Sequence, residues 1–462
     1  MKRQFDLNIE KILDNWEIHH AIREIIANAL DEMVLTKTKM ITIEKCDDGF
    51  WHIKDFGRGL QYQHFTQNES TEKKNSHTVI GKFGVGLKDA LAVFHKNNIY
   101  VKILSKYGDV ELGMYPKEGF PDTYTLHALI SEPTNDQMIG TEFILDVRDE
   151  DIEAAKSLFL AFSDRTPLEN TEYGDIYLKS NDLSASIYVH GVKVAEESNY
   201  LFDYNITKPN TKLNKSLNRE RSAVGRTAYS DLVKKMLLNA KDDSVIELLI
   251  NELQNKIPEG TNCDEISLID VQSHIIKIDN KTKQRVYISQ SDALSFTNDD
   301  KEKIKESGKE IIVLPNATHK RIKQEKDYNG NEIVTFSTIL REYKDNFKYQ
   351  FVDESLLTER EKQVLSLKDW VLSIYGNKEY LNKIYVSESI NEMISGDTLG
   401  VYEKSEDRII LKRSILQNEF VFCEVLFHEL VHAMTGYSDN ERNFENALGE
   451  IIGKLCQKIL NF

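Results

Sequence analysis

The alternation of apolar and polar residues predicts that the chain begins with a helix followed by short strands. Between residues 16 and 34 apolar side chains recur at helical spacing, as at Ile18, Ile22 and Ile25, which indicates one long helix. The segments MITIE and FWHIKD alternate apolar and polar residues between turn-prone ends and predict two strands, and NIYVKILS, DVELGMY and GTEFILDV continue the pattern. These elements predict a helix-and-sheet layer of about 150 residues, an ordinary domain size.

The rest of the pattern predicts three further segments. A second alternating region begins near SASIYVHGVKVAE and ends in the helical stretches DLVKKMLLNA and SVIELLINELQNKI, after which Pro258 and Gly260 indicate a boundary. The third region alternates strand QRVYIS, helix DDKEKIKES and strand EIIVLP. The last holds helix EREKQVLSLKDWVLSIYG, the strand-like stretch LGVYEKSEDRIILKR and two helices. We expect an α/β multidomain protein with domains at 1–165, 166–258, 259–345 and 346–462, the last being α+β.

Composition limits the functions that the chain can have. The formal net charge is −16, so nucleic acid is not favoured as a partner, although a local basic groove stays open. The first residues, MKRQFDLNIEKILDNW, lack the apolar stretch of a signal peptide, and no run approaches the roughly 18 apolar residues of a membrane helix. The four cysteines show no C-x-x-C spacing and fit reduced thiols. These features predict a cytoplasmic protein with no membrane partner.

A helical motif near the start of the chain is suited to metal and water chemistry. In REIIANALDE, Glu24, Asn28 and Asp31 are spaced i, i+4 and i+7, so they share one stripe of the predicted helix. An amide oxygen there can ligate Mg²⁺, and a carboxylate one turn away can orient or deprotonate water. On composition alone, a solvated polar face is the better explanation of the stripe.

Two glycine motifs follow the helix. KDFGRGL joins Asp55 to two glycines, so that a carboxylate beside a sharp turn can accept a hydrogen bond from an exocyclic amine. GKFGVGLKDAL places three glycines before a predicted helix, where backbone N–H groups can approach phosphate oxygens. Each motif alone is also typical of an ordinary turn.

Taken in order, E-x-x-x-N-A-x-D, D-x-G-x-G and G-x-x-G-x-G-L-K resemble the nucleotide site of the GHKL ATPases, which include gyrase subunits, heat-shock chaperones, histidine kinases and mismatch-repair ATPases. The resemblance covers roughly residues 1–165 and implies an α/β sandwich that binds ATP and Mg²⁺. It implies that Asn28 holds Mg²⁺ and that Glu24 activates the hydrolytic water. Asp55, supported by Thr141 through water, would bind the adenine amine. The implied nucleotide-binding set also includes Asp31, Gly57, Gly59, Gly81, Gly84, Val85, Gly86 and Leu87.

The resemblance implies further contacts and a partner. Lys88 would either touch phosphate or be a solvated helix residue, and the polar stretch from Gln61 to Ser76 would be a lid over ATP. Arg219 and Arg221, in a loop that resembles the chaperone branch, are candidates to stabilise the transferred phosphoryl from a transducer-like domain. A surface salt-bridge cluster is an equal explanation of these arginines. Because the family commonly dimerises on binding ATP, we expect an ATP-promoted homodimer.

The stretch CEVLFHELVHAMTGYSDNERNFENALGE contains H-E-x-x-H. His428 and His432 are one helical turn apart, so both imidazoles can bind one tetrahedral zinc ion, and Glu429 lies beside them to take a proton from water. Two core histidines with a salt-bridged acid are the structural alternative. Tyr437 either donates a hydrogen bond to a tetrahedral oxyanion or is merely packed.

A catalytic zinc site needs a third protein ligand. A second helix is predicted from about 439 to 459, opened by a capping box of Ser438 and Glu441. On that helix Glu445 lies at the edge of the apolar face, which favours it as the third ligand. Asp439 and Glu441 remain alternatives, because a residue just after the turn can also reach back to the metal.

The order H-E-L-V-H-A, a short turn and then F-E on a helix resembles gluzincin-type zinc metallopeptidases. The resemblance implies that an upstream strand, here LGVYEKSEDRIILKR, pairs with the backbone of the substrate. The whole chain then predicts an ATP-binding and ATP-hydrolysing protein whose nucleotide state controls a zinc-dependent peptidase acting on an intracellular protein. A chaperone-like clamp with a non-proteolytic metal-binding domain is the alternative, and a third is a nucleic-acid-associated ATPase in defence against phage or foreign DNA.

Overall fold

The structure is a computed structural model that describes most of the chain. The described residues are 3–9, 16–65, 79–80, 86–217, 224–259, 263–296, 304, 308–376, 378–390, 398–439 and 441–460. They divide into two compact units. The first unit comprises Met1–Thr282 and Leu314–Asn331, and the second comprises Lys283–Val313 and Glu332–Phe462.

The described residues form thirteen α-helices and seventeen β-strands, so the chain is a mixed α/β multidomain protein. The helices are α1 Ile18–Thr36, α2 Gly86–Lys96, α3 Asp149–Lys156, α4 Thr211–Ser216, α5 Ser230–Asn239, α6 Asp243–Glu259, α7 Ile269–Asp279, α8 Gln290–Ser295, α9 Asn316–Ile322, α10 Phe336–Asn346, α11 Glu359–Tyr375, α12 Glu419–Thr435 and α13 Arg442–Leu460. The strands are β1 Arg3–Asp6, β2 Thr42–Lys45, β3 Trp51–Lys54, β4 Val101–Ser105, β5 Asp109–Lys117, β6 Phe120–Ser131, β7 Thr141–Leu145, β8 Glu169–Asn170, β9 Gly174–Leu178, β10 Ala185–Val189, β11 Val192–Glu197, β12 Phe202–Ile206, β13 Arg285–Ser289, β14 Glu310–Leu314, β15 Ile384–Ser387, β16 Gly400–Glu403 and β17 Arg408–Lys412. In the described part of the chain, none of these helices combines the length and the apolar character that crossing a membrane requires.

A seven-stranded sheet carries the motifs at the start of the chain. Its strand order is β1-β6-β5-β4-β7-β3-β2, and all neighbouring pairs are antiparallel. Helices α1 and α2 pack side by side, and Ile22, Ile26 and Leu91 on these helices share one buried core with Ile103 and Phe143 of the sheet. Burial of this apolar surface, at about 25 cal/mol per Å², holds the helices against the strands.

A second sheet lies in the same unit, with strand order β11-β10-β12-β9-β8. Strands β10 and β12 are parallel, and the other pairs are antiparallel. Arg165, in the segment before this sheet, forms an ion pair of 2.7 Å with the fully buried Asp203 of β12, which also accepts a hydrogen bond from the N–H of Ser186. The sequence-based boundaries at 165 and 258 therefore fall within one compact unit, where a buried ion pair anchors the chain at the first of them.

The second unit contains the H-E-x-x-H helix. Its three-stranded sheet has the order β15-β17-β16, in which β15 and β17 are parallel and β16 and β17 antiparallel, and β13 and β14 form a separate pair. Helices α11 and α12 share a core with this sheet through Leu365, Leu426 and Leu411. Helix α13 adds Phe444 and Ile451 to a smaller cluster with Val431 of α12.

Most of the elements predicted from periodicity are present, with informative differences. The strand-like stretch LGVYEKSEDRIILKR is a hairpin, because Asp407 adopts a left-handed conformation (φ 49°) that reverses the chain between β16 and β17. The sequence pattern did not predict the twelve-residue strand β6, nor β12, in which all five residues are buried. Most of the predicted helix DDKEKIKES lies outside the described residues.

Candidate metal centre and nucleotide site

Local sequence fixes both ends of helix α12. The side-chain oxygen of Asn418 accepts hydrogen bonds from the N–H groups of Phe420 (2.9 Å) and Val421 (3.4 Å), which satisfies donors at the start of the helix. Gly436 ends the helix in a left-handed conformation (φ 70°), which glycine adopts without steric cost. The chain then turns back towards the two histidines.

Three ligand atoms meet at the C-terminal end of α12. The Nε2 atoms of His428 and His432 are 3.1 Å apart, and Oδ1 of Asp439 lies 2.9 Å from the first and 3.0 Å from the second. Zinc bonds of about 2.0–2.1 Å at tetrahedral angles place ligand atoms about 3.3 Å apart, so this spacing fits one zinc ion after a small expansion. Among the described histidines, cysteines and carboxylates, His428, His432 and Asp439 bring their ligand atoms close enough together to hold a metal ion.

The hydrogen bonding of His432 supports a cation between the three atoms. Its Nδ1 lies 2.7 Å from the carbonyl oxygen of Tyr437, and donation to that carbonyl leaves Nε2 with a lone pair in the neutral ring. That lone pair faces the carboxylate of Asp439 and the Nε2 of His428, whose tautomer decides whether it carries a proton. A shared metal cation would bind all three atoms, and the bond to Tyr437 orients the ring as outer partners of metal-bound histidines do.

Phe444 of α13 holds both imidazoles in place. Its ring stacks on His432 with centroids 4.5 Å apart and meets His428 edge-on at 4.9 Å. Phe444 is buried, so the pair of histidines has an apolar wall on this side. Such a wall limits the rotamers of both rings before any metal binds.

Glu429 points from α12 to the edge strand β16. Its Oε2 accepts a hydrogen bond of 2.8 Å from the backbone N–H of Tyr402, and the side chain is 7% exposed. Burial raises the pKa of Glu429 to about 7, although His432 and the Tyr402 N–H act in the opposite direction. A carboxyl group in this range can accept and return a proton near neutral pH.

Gly400 makes the contact between β16 and α12 possible. A Cβ atom at Gly400 would lie 2.5 Å from Cγ1 of Val425 and 2.9 Å from Cγ of Glu429. Contacts this short do not occur, so a side chain here would force the strand away from the helix. Neither Gly400 nor Tyr402 was predicted as a site residue, since the contact joins positions far apart in sequence.

The third residue of the candidate metal cluster differs from the one favoured by helical periodicity. Helix α13 begins at Arg442, not at 439, and Glu445 is exposed in its first turn. The residues before the helix are then free to turn back, which brings Asp439 to the histidines in place of Glu445. The other alternative, Glu441, is exposed and donates its backbone N–H to the carbonyl of Ser438. Tyr437 contacts His432 through its carbonyl, and the role of its hydroxyl stays a prediction.

In the first unit, Asp55 lies at the end of β3 in a pocket of backbone groups. Its N–H donates to the carbonyl of Thr141 (2.9 Å), and its carboxylate accepts the N–H of Gly57 (2.8 Å). Burial raises the pKa of Asp55, while hydrogen bonds from Gly57 and Thr141 lower it. Gly140 has φ 80°, and a Cβ there would lie 2.0 Å from the Asp55 carbonyl oxygen. Thr141 thus contacts Asp55 directly, and the water-mediated support of adenine that the resemblance implied stays a prediction.

The predicted catalytic stripe of α1 faces the start of α2. A Cβ atom at Gly86 would lie 2.2 Å from Oε2 of Glu24, so the Glu24 carboxylate sits at the N-terminal end of α2. The buried guanidinium of Arg23 bonds the other oxygen of Glu24 at 3.0 Å. Asn28 is half-buried one turn further along, and buried Asp31 accepts the N–H of Ile80. The structure therefore brings Glu24 and Gly86 together at the N-terminal end of α2.

Lys88 departs from one of the two sequence-based alternatives. It is 4% exposed and donates to the carbonyl of Leu7 over 3.3 Å, so it is not a solvated helix residue, and its contact with phosphate stays a prediction. Burial lowers its pKa, and Asp6 and Asp89 oppose that shift. Lys88 therefore ties α2 to the segment after β1.

Several predicted positions lie outside the described residues: Gly81, Gly84, Val85, Arg219, Arg221 and most of the lid segment 61–76. Leu87 is described and is partly buried against the core of the first sheet. Gly59 has φ 93°, and a Cβ atom added there would lie 3.0 Å from the Ser105 hydroxyl oxygen. Gly57 lies against Glu32, which binds both the N–H and the guanidinium of Arg58 and was not predicted as part of the site.

Comparison with known proteins gives relatives that cover different shares of the chain. Residues 150–243 match the family model described as the Mycoplasma pneumoniae MPN635 N-terminal domain. An uncharacterized protein of Mycoplasma pneumoniae is 42% identical over 242 residues, which cover 51% of this chain and 96% of the relative. A second uncharacterized protein of that organism is 24% identical over 329 residues, covering 65% of this chain and 90% of the relative. The chaperone protein HtpG of Natranaerobius thermophilus is 28% identical over 179 residues, covering 32% of this chain and 27% of HtpG.

Proposed function

We propose an ATP-dependent zinc peptidase for this chain, which belongs to the family of the 42% identical Mycoplasma pneumoniae protein, since the match covers 96% of that protein. The first unit binds and hydrolyses ATP, and the second hydrolyses peptide bonds at a zinc ion held by His428, His432 and Asp439. The observation that carries the proposal is the mutual spacing of 2.9–3.1 Å between three ligand atoms beside Glu429.

The residues around the cluster would have separate roles in peptide hydrolysis. A zinc ion supplies Lewis-acid chemistry that activates water and polarises the carbonyl of the scissile bond. Glu429 takes the proton of the attacking water and returns it to the leaving amine. The Tyr402 N–H holds one oxygen of Glu429 and so leaves the other oxygen to handle the proton. The carbonyl of Tyr437 and the ring of Phe444 would hold the imidazoles in the orientation that a shared ion needs.

The edge of β16 supports binding of an extended substrate. Lys412 donates its N–H to the carbonyl of Leu399 (2.9 Å), and the register pairs Gly400 with Leu411 and Tyr402 with Ile409. Bonded pairs alternate along an antiparallel ladder, so the N–H and carbonyl groups of Gly400 and Tyr402 point away from β17. A peptide added as a further strand would meet both backbone groups of Gly400 and the carbonyl of Tyr402 next to the metal cluster, while the Tyr402 N–H stays bonded to Glu429.

Three observations support nucleotide binding in the first unit. Asp55 is a buried carboxylate beside two close-packed glycine positions, which suits an exocyclic amine. Glu24 lies at the N-terminal end of α2, where backbone N–H groups favour phosphate, and Asn28 is one turn away as a candidate Mg²⁺ ligand. The partial similarity to HtpG supports a GHKL-like region of the kind that the motifs indicate.

The presence of both sites in one chain supports control of proteolysis by nucleotide, because an unregulated peptidase damages its own cell. In this proposal ATP binding also promotes a homodimer. The substrate is an intracellular protein. A chaperone-like clamp whose second unit only binds metal is the outcome that remains if the zinc-loaded protein hydrolyses ATP and no peptide.

The test compares four forms of the zinc-loaded protein on an unfolded protein substrate such as casein, with and without Mg-ATP. We expect wild type to cleave it, Glu429→Gln to lose cleavage, and Asp55→Asn to cleave without responding to ATP. Glu419→Gln is the matched control, since Glu419 is exposed on the same helix and pairs with Arg360 at 2.6 Å. Absence of cleavage by wild type in both nucleotide states, with zinc bound, would reject the peptidase.

A further inference from the structure

Helix α12 carries acidic residues and no basic ones. Between Glu419 and Thr435 it contains three glutamates and two histidines, and neither lysine nor arginine. Glu419 is paired with Arg360, and Glu429 is buried against Tyr402. The third glutamate, Glu424, is exposed, and within the described part of the chain no hydrogen bond or ion pair engages its carboxylate. An unpaired carboxylate on an enzyme's metal-binding helix is available to a ligand.

Glu424 lies beside the metal cluster. It precedes His428 by four residues, so the two side chains are neighbours on one helical face, with Cβ atoms about 5–6 Å apart. Val425 and Glu429, which contact Gly400 of the edge strand, lie on the other side of the two histidines when positions are placed at 100° intervals. Glu424 and β16 therefore flank the histidines from opposite sides, and a peptide paired with β16 would project side chains across the cluster towards Glu424.

The charges at the proposed metal centre would not neutralise the negative charge of Glu424. The two positive charges of a zinc ion would be offset by Asp439, one of its ligands, and by Glu429 next to it. The negative charge of Glu424, which is exposed one helical turn from His428, is then left over. A charged group beside a cleft attracts ligands of the opposite sign and disfavours ligands of its own sign.

We propose that Glu424 selects substrates with a lysine or arginine next to the scissile bond. The proposal rests on the peptidase activity proposed above and names the class of peptide on which it acts. One helical turn, 5.4 Å, corresponds to fewer than two residues of an extended chain at about 3.3 Å each. The basic side chain therefore lies within two positions of the bond that is cut. Glu424 is a specificity residue, and the hydrolytic step needs only Glu429 and the metal ligands.

The test measures peptide binding separately from cleavage. The Glu429→Asp protein, which keeps a negative charge at this position but shortens the acid, is loaded with zinc and titrated with two fluorescent twelve-residue peptides that differ in one central residue, lysine or glutamate. We expect the lysine peptide to bind at least tenfold more tightly by fluorescence anisotropy at low salt. Adding Glu424→Gln should reduce the ratio below about threefold, and Glu424→Lys should reverse the preference. Glu419→Gln, on the same helix, should leave the ratio unchanged.

Each outcome decides one of the two proposals. A preference that survives Glu424→Gln, equal binding of both peptides, or no binding of either peptide overturns the role of Glu424. Binding with the expected preference but no cleavage of either peptide by wild type rejects the peptidase and retains a cation-selective peptide site at Glu424. Cleavage of both peptides at equal rates by wild type, with equal binding, rejects the selectivity alone.

Discussion

The backbone N–H of Tyr402 donates a hydrogen bond to Oε2 of Glu429, so the edge strand of the small sheet orients the acid of the H-E-x-x-H helix. The bond exists because Gly400, two residues earlier, lets the strand lie directly on Val425 and Glu429. In the proposed peptidase, substrate binding and proton transfer would depend on the same four-residue strand. The position of that strand is accordingly the first feature to perturb.

Replacing Gly400 by alanine should displace β16 from α12. The added Cβ would meet Val425 and Glu429 at 2.5 and 2.9 Å, so the strand must move, and we expect a loss of about 1–3 kcal/mol in the free energy of unfolding. Peptidase activity should fall more than zinc affinity. Gly449→Ala is the matched control, because a Cβ there meets open space within a helix and should stabilise the protein by up to about 1 kcal/mol. Urea unfolding of both variants measures the difference.

Asp439 and Glu445 should differ in their effect on zinc. Because Asp439 lies within 3.0 Å of both histidines and Glu445 is exposed on α13, Asp439→Asn should weaken zinc binding by at least about tenfold and Glu445→Gln by less than twofold. Competition with a chromogenic chelator measures both affinities. A larger effect at Glu445 would restore the ligand that helical periodicity favours.

A substitution can distinguish the role of the Tyr437 hydroxyl from the role of its backbone carbonyl. The carbonyl of Tyr437 holds His432, and Tyr437→Phe keeps that carbonyl, so zinc affinity should stay within about twofold of wild type. If the hydroxyl stabilises the oxyanion, kcat for a peptide should fall about 100-fold with little change in KM. Unchanged kcat would show that the ring is merely packed.

Asp55→Asn should weaken ATP binding. The carboxylate is buried and aligned by the N–H of Gly57, so its loss removes a charged acceptor and we expect a 10- to 100-fold rise in the Kd for Mg-ATP, by about 1.5–3 kcal/mol. Isothermal titration calorimetry measures the change. Asp47→Asn, in the exposed turn between β2 and β3, is the control and should bind ATP as wild type does.

Acid should weaken the second unit through Glu361. Hydrogen bonds from Arg413 hold the pKa of Glu361 at about 2, below the value of about 4.3 in an unfolded chain. The folded state then binds the proton less readily, so this stabilisation is complete above pH 4.3 and is lost as the pH falls towards 2. Between these values the wild type should lose up to about 1.4 kcal/mol per pH unit more than Glu361→Gln, as measured by urea unfolding.

Elements whose ends are marked locally could be predicted from the sequence. Helix α11 begins with a capping box of Thr358 and Glu361 and ends at Gly376 in a left-handed conformation, and α12 is bounded by Asn418 and Gly436 in a similar way. These signals act within one turn of the helix, so a single sequence contains them. The histidine pair was predictable for the same reason, since both residues lie on one turn.

Contacts between distant segments were not predictable in this way. The start of α13 at Arg442, which decides between Asp439 and Glu445, depends on how the turn packs against α12 and Phe444. Likewise, nothing near Gly400 in sequence shows that Glu429 will lie against it. The Asp55 and Thr141 contact was anticipated only through resemblance to a family, because a pairing of two strands so far apart in sequence has no local signature.

The order of strands in the first sheet has a consequence for synthesis on the ribosome. Strand β7 lies between β3 and β4, and β1 pairs with β6 rather than with its neighbours in sequence. Strand β1 therefore cannot pair until β6 has emerged from the exit tunnel up to Ser131, and β2 and β3 cannot join the rest of the sheet until β7 has emerged up to Leu145. Up to that point the apolar side chains of the nascent segment stay exposed, and the sheet should close late, in one step, with non-local pairing limiting the rate.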